Sequence, residues 1–199
     1  MKLKNLFSLT LLTIALPLFA AVENGQPAPG FTLKDYDGNT VSLSDFAGKT
    51  VVLEWMNPGC PFVRKFYDQK HMPAFQKKAA EMGVVWVAIN STNPKHGDYL
   101  TPEASKKWAT EHGFAGVWLM DEDGTVGKAY GARTTPHMYI INGEGILVYQ
   151  GGIDDVRDAK PESIAGATNY VMQALKEMKH GKPITHAQTR PYGCTVKYP

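Results

Sequence analysis

The run Val51-Val52-Leu53-Glu54-Trp55-Met56-Asn57-Pro58-Gly59-Cys60-Pro61-Phe62-Val63 decides how this chain folds. Its first half is apolar apart from Glu54, as in a strand buried on both faces of a parallel sheet. Pro58-Gly59 supplies a tight turn, and Pro61 suits the first position of a helix, where a missing N–H costs nothing. Cys60 is thereby placed at the N-cap, beside the unpaired amides of the first turn and the positive end of the helix dipole, which favour thiolate over thiol. The dipole contributes roughly 0.3 to 2 kcal/mol, and about 1.4 kcal/mol is one pKa unit, so a thiol near 8.5 falls toward 7 from this alone. Arg64, one turn further along the same face, pushes the same way. Cys60 is expected to be a solvent-reachable nucleophile; the alternative is the inert cysteine common in cores.

Outward from this run the pattern alternates strand and helix. Residues 31–34 and 40–43 flank Asp35-Tyr36-Asp37-Gly38-Asn39, a hairpin signal, and 44–48 read as a short helical turn. From Cys60 a helical period continues to about Glu81, with a kink expected at Met72-Pro73, and Gly83 stops it. Residues 84–89 and 117–120 are further buried strands, separated by a helix that Thr101-Pro102-Glu103 opens and Gly113 closes. A short helix over 125–130 precedes a hairpin whose arms, 137–141 and 146–150, straddle Asn142-Gly143-Glu144-Gly145. One long helix is expected over 161–180, with Gly181 as its cap. The last eighteen residues show no convincing period. The fold class is α/β: a central mixed β-sheet flanked by helices, with an N-terminal β-hairpin and an extended C-terminal tail.

The first twenty residues stand apart. Lys2 and Lys4 precede an apolar run from Leu6 to about Leu16, and Leu18-Phe19-Ala20 before Ala21 offers a cleavage point, the pattern of a secretory signal, so 1–20 is read as a signal peptide, 21–181 as the domain and 182–199 as the tail; because Leu18 is larger than the usual small residue, an uncleaved anchor is the alternative. Export to the periplasm or beyond follows, without stable membrane insertion once the signal is cut. Of 21 basic and 19 acidic residues, removal of 1–20 takes two lysines and no acid, leaving the charges balanced. Nucleic acid is therefore excluded as a partner by charge. Two cysteines, Cys60 and Cys194, enter a compartment where disulfides persist.

With these elements in place the chain resembles the thioredoxin-like superfamily, and within it the redoxin branch of alkyl hydroperoxide reductase and thiol-specific antioxidant proteins. The likeness rests on Val51-Val52-Leu53-Glu54-Trp55 followed by Cys60, on Thr134-Thr135-Pro136, on the hairpin over 142–154 and on the ending Arg190 to Tyr198, which is similar to the Gly-Cys-x-Ile/Val-Lys-Tyr/Trp close of a peroxiredoxin-like subgroup. The resemblance implies a cis Pro136 that presents the backbone of Thr135 to a substrate strand beside Cys60. It also implies a buried carboxylate at Glu54 that relays protons to or from sulfur. Two departures stand out. Val63 occupies the second position of the Cys-x-x-Cys motif, so dithiol exchange through that turn is impossible, and Asn57 stands where peroxiredoxins carry Thr or Ser, its amide a candidate donor to a peroxide oxygen.

The chemistry expected is attack by the Cys60 thiolate on a peroxide, giving a sulfenic acid, or on a disulfide, giving a mixed disulfide. Cys194 is the internal candidate to resolve either product. The thirteen residues from Gly181 stretch to about 43 Å at roughly 3.3 Å each, so reach is no obstacle. Cys194 as a packed free thiol, or as half of a permanent bridge, remains open. Arg133 is a candidate to stabilise the thiolate or a peroxide oxygen, with a solvated loop arginine as the alternative. His71, His96 and His112 show no metal-ligand spacing with either cysteine, and neither metal nor cofactor is expected. The implied partners are small peroxides or protein thiols and disulfides, plus a thiol reductant. A different class of function also fits: a redox-inert module that holds an extended peptide in the groove beside Pro136.

Overall fold

Strands whose side chains are apolar at every position need cover on both sides, and the chain supplies it. The computed structural model describes residues 22–199; the expected signal segment lies outside the described residues. The order is β1 (Thr32–Asp35), β2 (Thr40–Ser42), a 3-10 turn (Leu43–Phe46), β3 (Val51–Trp55), α1 (Pro61–Tyr67), α2 (His71–Glu81), β4 (Val85–Asn90), α3 (Pro102–His112), β5 (Val117–Met120), α4 (Thr125–Tyr130), β6 (Thr134–Thr135), β7 (His137–Ile141), β8 (Leu147–Gly151), a second 3-10 stretch (Pro161–Gly166), α5 (Tyr170–Lys179) and β9 (Cys194–Thr195).

Seven strands form one mixed sheet in the order β2-β1-β5-β4-β3-β7-β8. β3, β4 and β5 are parallel, and the hairpins at either edge are antiparallel. β3 lies between β4 and β7, and all five of its residues are buried. Val51, Leu53 and Trp55 enter one core with Val87, Ile89, Leu119 and Tyr139. Val52 and Met56 enter the other with Trp86, Val63, Phe66 and Leu175. The N-terminal hairpin joins the same sheet through β1 and β5.

Two helical expectations are corrected. The stretch from Cys60 to Glu81 is two helices, broken at Asp68–Lys70, where Lys70 takes φ +61°. A helix continued through Pro73 would drive the proline ring into the carbonyl of Gln69, so the break precedes it. Pro73 instead sits in the first turn of α2, where no helical donor is required. The stretch 161–180 is likewise divided. Residues 167–169 are drawn out against the segment after β8: the Thr168 amide donates to Asp155 Oδ1 at 2.8 Å and the Tyr170 amide to the Ile153 carbonyl at 2.9 Å. Asn169 then caps α5 by accepting from the Met172 amide at 2.9 Å.

The tail is also more ordered than its sequence suggested. It first runs beside β8, where the Gln150 amide donates to the Ala187 carbonyl at 3.1 Å and the Thr189 amide returns to Gln150 at 3.1 Å. It then crosses to β6 and pairs with it antiparallel as β9.

Candidate active site

Cys60 is the N-cap of α1, with extended backbone and Pro61 behind it. The turn before it is shaped by Asn57. Its Oδ1 accepts from the Gly59 amide at 2.7 Å, its carbonyl accepts from the Cys60 amide at 3.0 Å, and its Nδ2 donates to Thr92 Oγ1 at 2.9 Å. Both ends of this buried amide bond within the protein, so Asn57 braces the turn against the loop after β4.

The expectation of a solvent-reachable thiol aimed at the first-turn amides is also corrected. Cys60 is only 2% exposed, and its side chain makes no capping hydrogen bond. Its sulfur lies 3.0 Å from the Thr135 carbonyl oxygen and 2.7 Å from Cys194 Sγ. The cover is the chain's own tail. The peptide bond between Thr135 and Pro136 is cis, and the Thr134–Thr135 backbone it presents pairs with Cys194 and Thr195, Thr135 directly opposite Cys194.

Cys194 is held from both sides. On the N-terminal side the buried Tyr192 donates its hydroxyl to Asp154 Oδ1 at 2.5 Å and packs edge-on against Phe62 of α1. Lys65, fully buried, stands 3.8 Å from Asp154, 3.4 Å from Asp158 and 3.2 Å from the Val156 carbonyl. On the C-terminal side the Val196 amide donates to the Arg133 carbonyl at 3.0 Å, the Asn93 amide donates to the Lys197 carbonyl at 2.7 Å, and Tyr198 donates its hydroxyl to the Ala132 carbonyl at 2.8 Å. Glycines make the room. A Cβ on Gly193, whose φ is +127°, would overlap the Thr135 carbonyl, and one on Gly127 would overlap the Tyr198 ring.

Two thiols at this separation reach the disulfide bond length of about 2.05 Å by a sub-ångström shift. Burial and the hydrogen bond with Cys60 push the Cys194 thiol up, Lys197 pulls it down and Asp98 adds to the rise. The reduced pair therefore keeps a proton on Cys194.

The remaining candidates stand away from the sulfurs. Glu54 is fully buried, but its partners are Trp86 Nε1 at 2.8 Å and the Tyr67 hydroxyl at 3.0 Å, itself held by Gln76 Nε2 at 2.9 Å. Burial raises its pKa to about 7 against these donors. It shares a buried network and, among the described contacts, makes no direct hydrogen bond to either cysteine. Arg64 points out to an ion pair with Asp68 at 3.2 Å and, among the described contacts, bonds to neither sulfur. The Arg133 side chain is exposed, and its backbone rather than its guanidinium serves the tail. Burial and Arg133 hold His137 down to about 3, so it stays neutral and accepts from the Arg133 amide at 3.3 Å.

Tyr192, Gly193, Tyr198 and Asp154 entered the sequence reading only as parts of the resemblance, without a role of their own, and Lys65 did not enter it. The alternation Tyr192, Cys194, Val196, Tyr198 was the available signal, a strand period of two that ends in an aromatic anchor. Among the described residues no cluster of three metal-ligating side chains occurs.

Comparison with known proteins gives the family. The AhpC/TSA family profile matches residues 24–150. A thiol-disulfide oxidoreductase ResA from Halalkalibacterium halodurans is 29% identical over 133 residues, 66% of this chain and 70% of that protein. A chloroplastic peroxiredoxin Q from Populus jackii is 30% identical over 175 residues, 79% of this chain and 71% of that protein. The crystal structure of an uncharacterised conserved protein from Geobacillus kaustophilus superposes with a TM-score of 0.76 at 31% identity, covering 94% of this chain and 98% of that one. The chain has a thioredoxin-like fold and belongs to the AhpC/TSA family, as a thiol oxidoreductase.

Proposed function

We propose that this chain is an exported thiol redox enzyme in which Cys60 is the nucleophile and Cys194 its resolving partner. The observation that carries this reading is the 2.7 Å between the two sulfurs, with Cys194 docked on the cis-proline loop. With a peroxide, the Cys60 thiolate attacks the O–O bond, the leaving oxygen takes a proton, and Cys60 becomes a sulfenic acid. The Cys194 sulfur then attacks Cys60, and water leaves as the disulfide forms. With a disulfide oxidant, Cys60 forms a mixed disulfide and Cys194 displaces the second thiol. In both cases the protein loses two electrons and two protons, and a thiol reductant must return them. Thr135, through its carbonyl, and the cis Pro136 form the wall that receives Cys60. Export to the periplasm or medium rests on the signal pattern of residues 1–20 and suits a two-cysteine redox cycle in an oxidising compartment.

The peptide-holding module is the weaker reading, because the strand edge it would use is already taken by β9. The test is non-reducing peptide mapping after treatment of the reduced chain with stoichiometric hydrogen peroxide or bis(2-hydroxyethyl) disulfide. A fragment joining Cys60 to Cys194 is expected. If Cys60 remains a thiol with both oxidants, the redox reading fails.

A further inference from the structure

The tail does more than deliver a second sulfur. β6 offers two residues of strand edge next to the nucleophile, where an extended polypeptide could pair as an added strand if the edge were open. That edge is filled by Cys194 and Thr195 of the same chain. Filling it is specified by the sequence on both sides of the site, not by the sulfur contact alone: Tyr192 on Asp154, Gly193 against the Thr135 carbonyl, and Tyr198 in the slot left by Gly127. The result is a Cys60 that is 2% exposed, next to a Cys194 that is partly open to solvent.

Thiol–disulfide exchange needs the attacking, central and leaving sulfurs nearly in line, so the leaving group must find room opposite Cys60. A two-carbon thiol needs little room, and Cys194 beside Cys60 is partly open to solvent. A polypeptide cannot pair with β6 without evicting β9 and breaking the contacts that hold it. We propose that the docked tail is a specificity strap: it shuts the cis-proline edge to extended polypeptides, so Cys60 accepts small oxidants and refuses protein disulfides, with Tyr192, Gly193 and Tyr198 as the residues that set this selectivity. The proposal rests on Cys60 as the nucleophile and Cys194 as its resolver, and it adds the substrate's size class.

The test holds the chemistry fixed and changes only the size of the oxidant. Bis(2-hydroxyethyl) disulfide and disulfide-scrambled ribonuclease each oxidise the pair by the same balanced reaction, a protein dithiol plus RS–SR giving the Cys60–Cys194 disulfide and two thiols. Rates are read on the full chain by acid quench, alkylation and mass spectrometry. For the unaltered chain, the small disulfide is expected to react at least about a hundredfold faster per disulfide than scrambled ribonuclease. In Gly193→Ala, where the new methyl group expels β9, that preference should fall by about tenfold or more. Tyr192→Phe, which loses one hydroxyl and keeps the ring, should move the same ratio in the same direction by a smaller factor. It serves as the folded check if Gly193→Ala does not fold. Equal rates for the two disulfides on the unaltered chain overturn the strap and leave the redox reading standing. Failure of every oxidant to convert Cys60 overturns both.

Discussion

The Tyr192 hydroxyl and Asp154 meet at 2.5 Å inside the protein, and Lys65 Nζ bears on the same carboxylate from α1 at 3.8 Å. Through this carboxylate the nucleophile's helix, the segment after β8 and the tail carrying the second thiol are tied at one point. Burial raises the Asp154 pKa, against the hydrogen bond from Tyr192 and the charge of Lys65.

Removing the lysine should therefore cost far more than a surface ion pair. Lys65→Ala leaves a buried carboxylate without its cation, a loss of about 3–5 kcal/mol. In a chain of this size that lowers Tm by roughly 6–20 °C. Tyr192→Phe should cost about 1.5–3 kcal/mol, the loss of one hydrogen bond to a charged group. Thermal denaturation measures both, and amide exchange over residues 190–199 should quicken in each variant. A Lys65→Ala protein melting with the parent would show that the buried pair carries no stability.

The pre-docked Cys194 also sets a kinetic expectation. Sulfenic acid at Cys60 has its partner at 2.7 Å before any segment opens. Resolution is then a local first-order step in competition with a second peroxide. With peroxide in about hundredfold excess, the parent should end as the disulfide with little sulfinic acid, whereas Cys194→Ser should carry most of its Cys60 on to sulfinic and sulfonic acid. Intact-mass spectra separate these products. Extensive sulfinic acid in the parent would mean that the tail leaves the site during turnover.

Asn57 offers a test of brace against substrate donor. Asn57→Ala strips the Gly59 amide and Thr92 Oγ1 of buried partners, at a cost of about 1–3 kcal/mol. Asn57→Asp keeps an acceptor for the Gly59 amide and lets the Thr92 hydroxyl turn from acceptor to donor, so it should recover part of the loss. Urea denaturation of the three proteins gives the ranking. Equal stability of Ala and parent would show that Asn57 braces nothing and favour the substrate-donor role.

What could be read in the chain divides along local and distant causes. The strand, turn and helix around Cys60 were legible because Pro58, Gly59 and Pro61 act on their own backbone. α3 was legible to the residue, since Thr101 accepts from the Ala104 amide at 3.3 Å and Gly113 closes it at φ +70°. The break before α5 was not, because it is imposed by Ile153 and Asp155 from another part of the chain. The site divides in the same way. Cys60, Thr135, Pro136 and Cys194 could each be picked out by residue type and resemblance. That the tail lies on the cis-proline edge depends on contacts reaching from Ala132, Arg133 and Asp154, which no local period encodes. Asn57 and Glu54 were legible as polar residues in an apolar run, but their roles are set by Thr92 and Trp86, more than thirty residues away.

Glu54 gives the clearest pH dependence. Its folded pKa is raised from 4.5 to about 7 by burial. Between those values the unfolded chain ionises this carboxyl while the folded chain keeps it protonated, so the folded state binds more protons and stability falls as pH rises. The stabilisation is complete below about 4.5 and gone above about 7, a loss on the order of 3 kcal/mol across the window. Glu54→Gln cannot ionise and retains an acceptor oxygen for the Trp86 indole or the Tyr67 hydroxyl. It should remove this slope and gain stability over the parent at pH 8, with little difference at pH 4.5. Taking the difference between variant and parent cancels other titrating groups, including Asp121 and Asp154, whose pKa values burial also raises. Urea unfolding of both proteins from pH 4.5 to 8 provides the curve, and parallel profiles would show that the buried carboxylate ionises freely in the folded state.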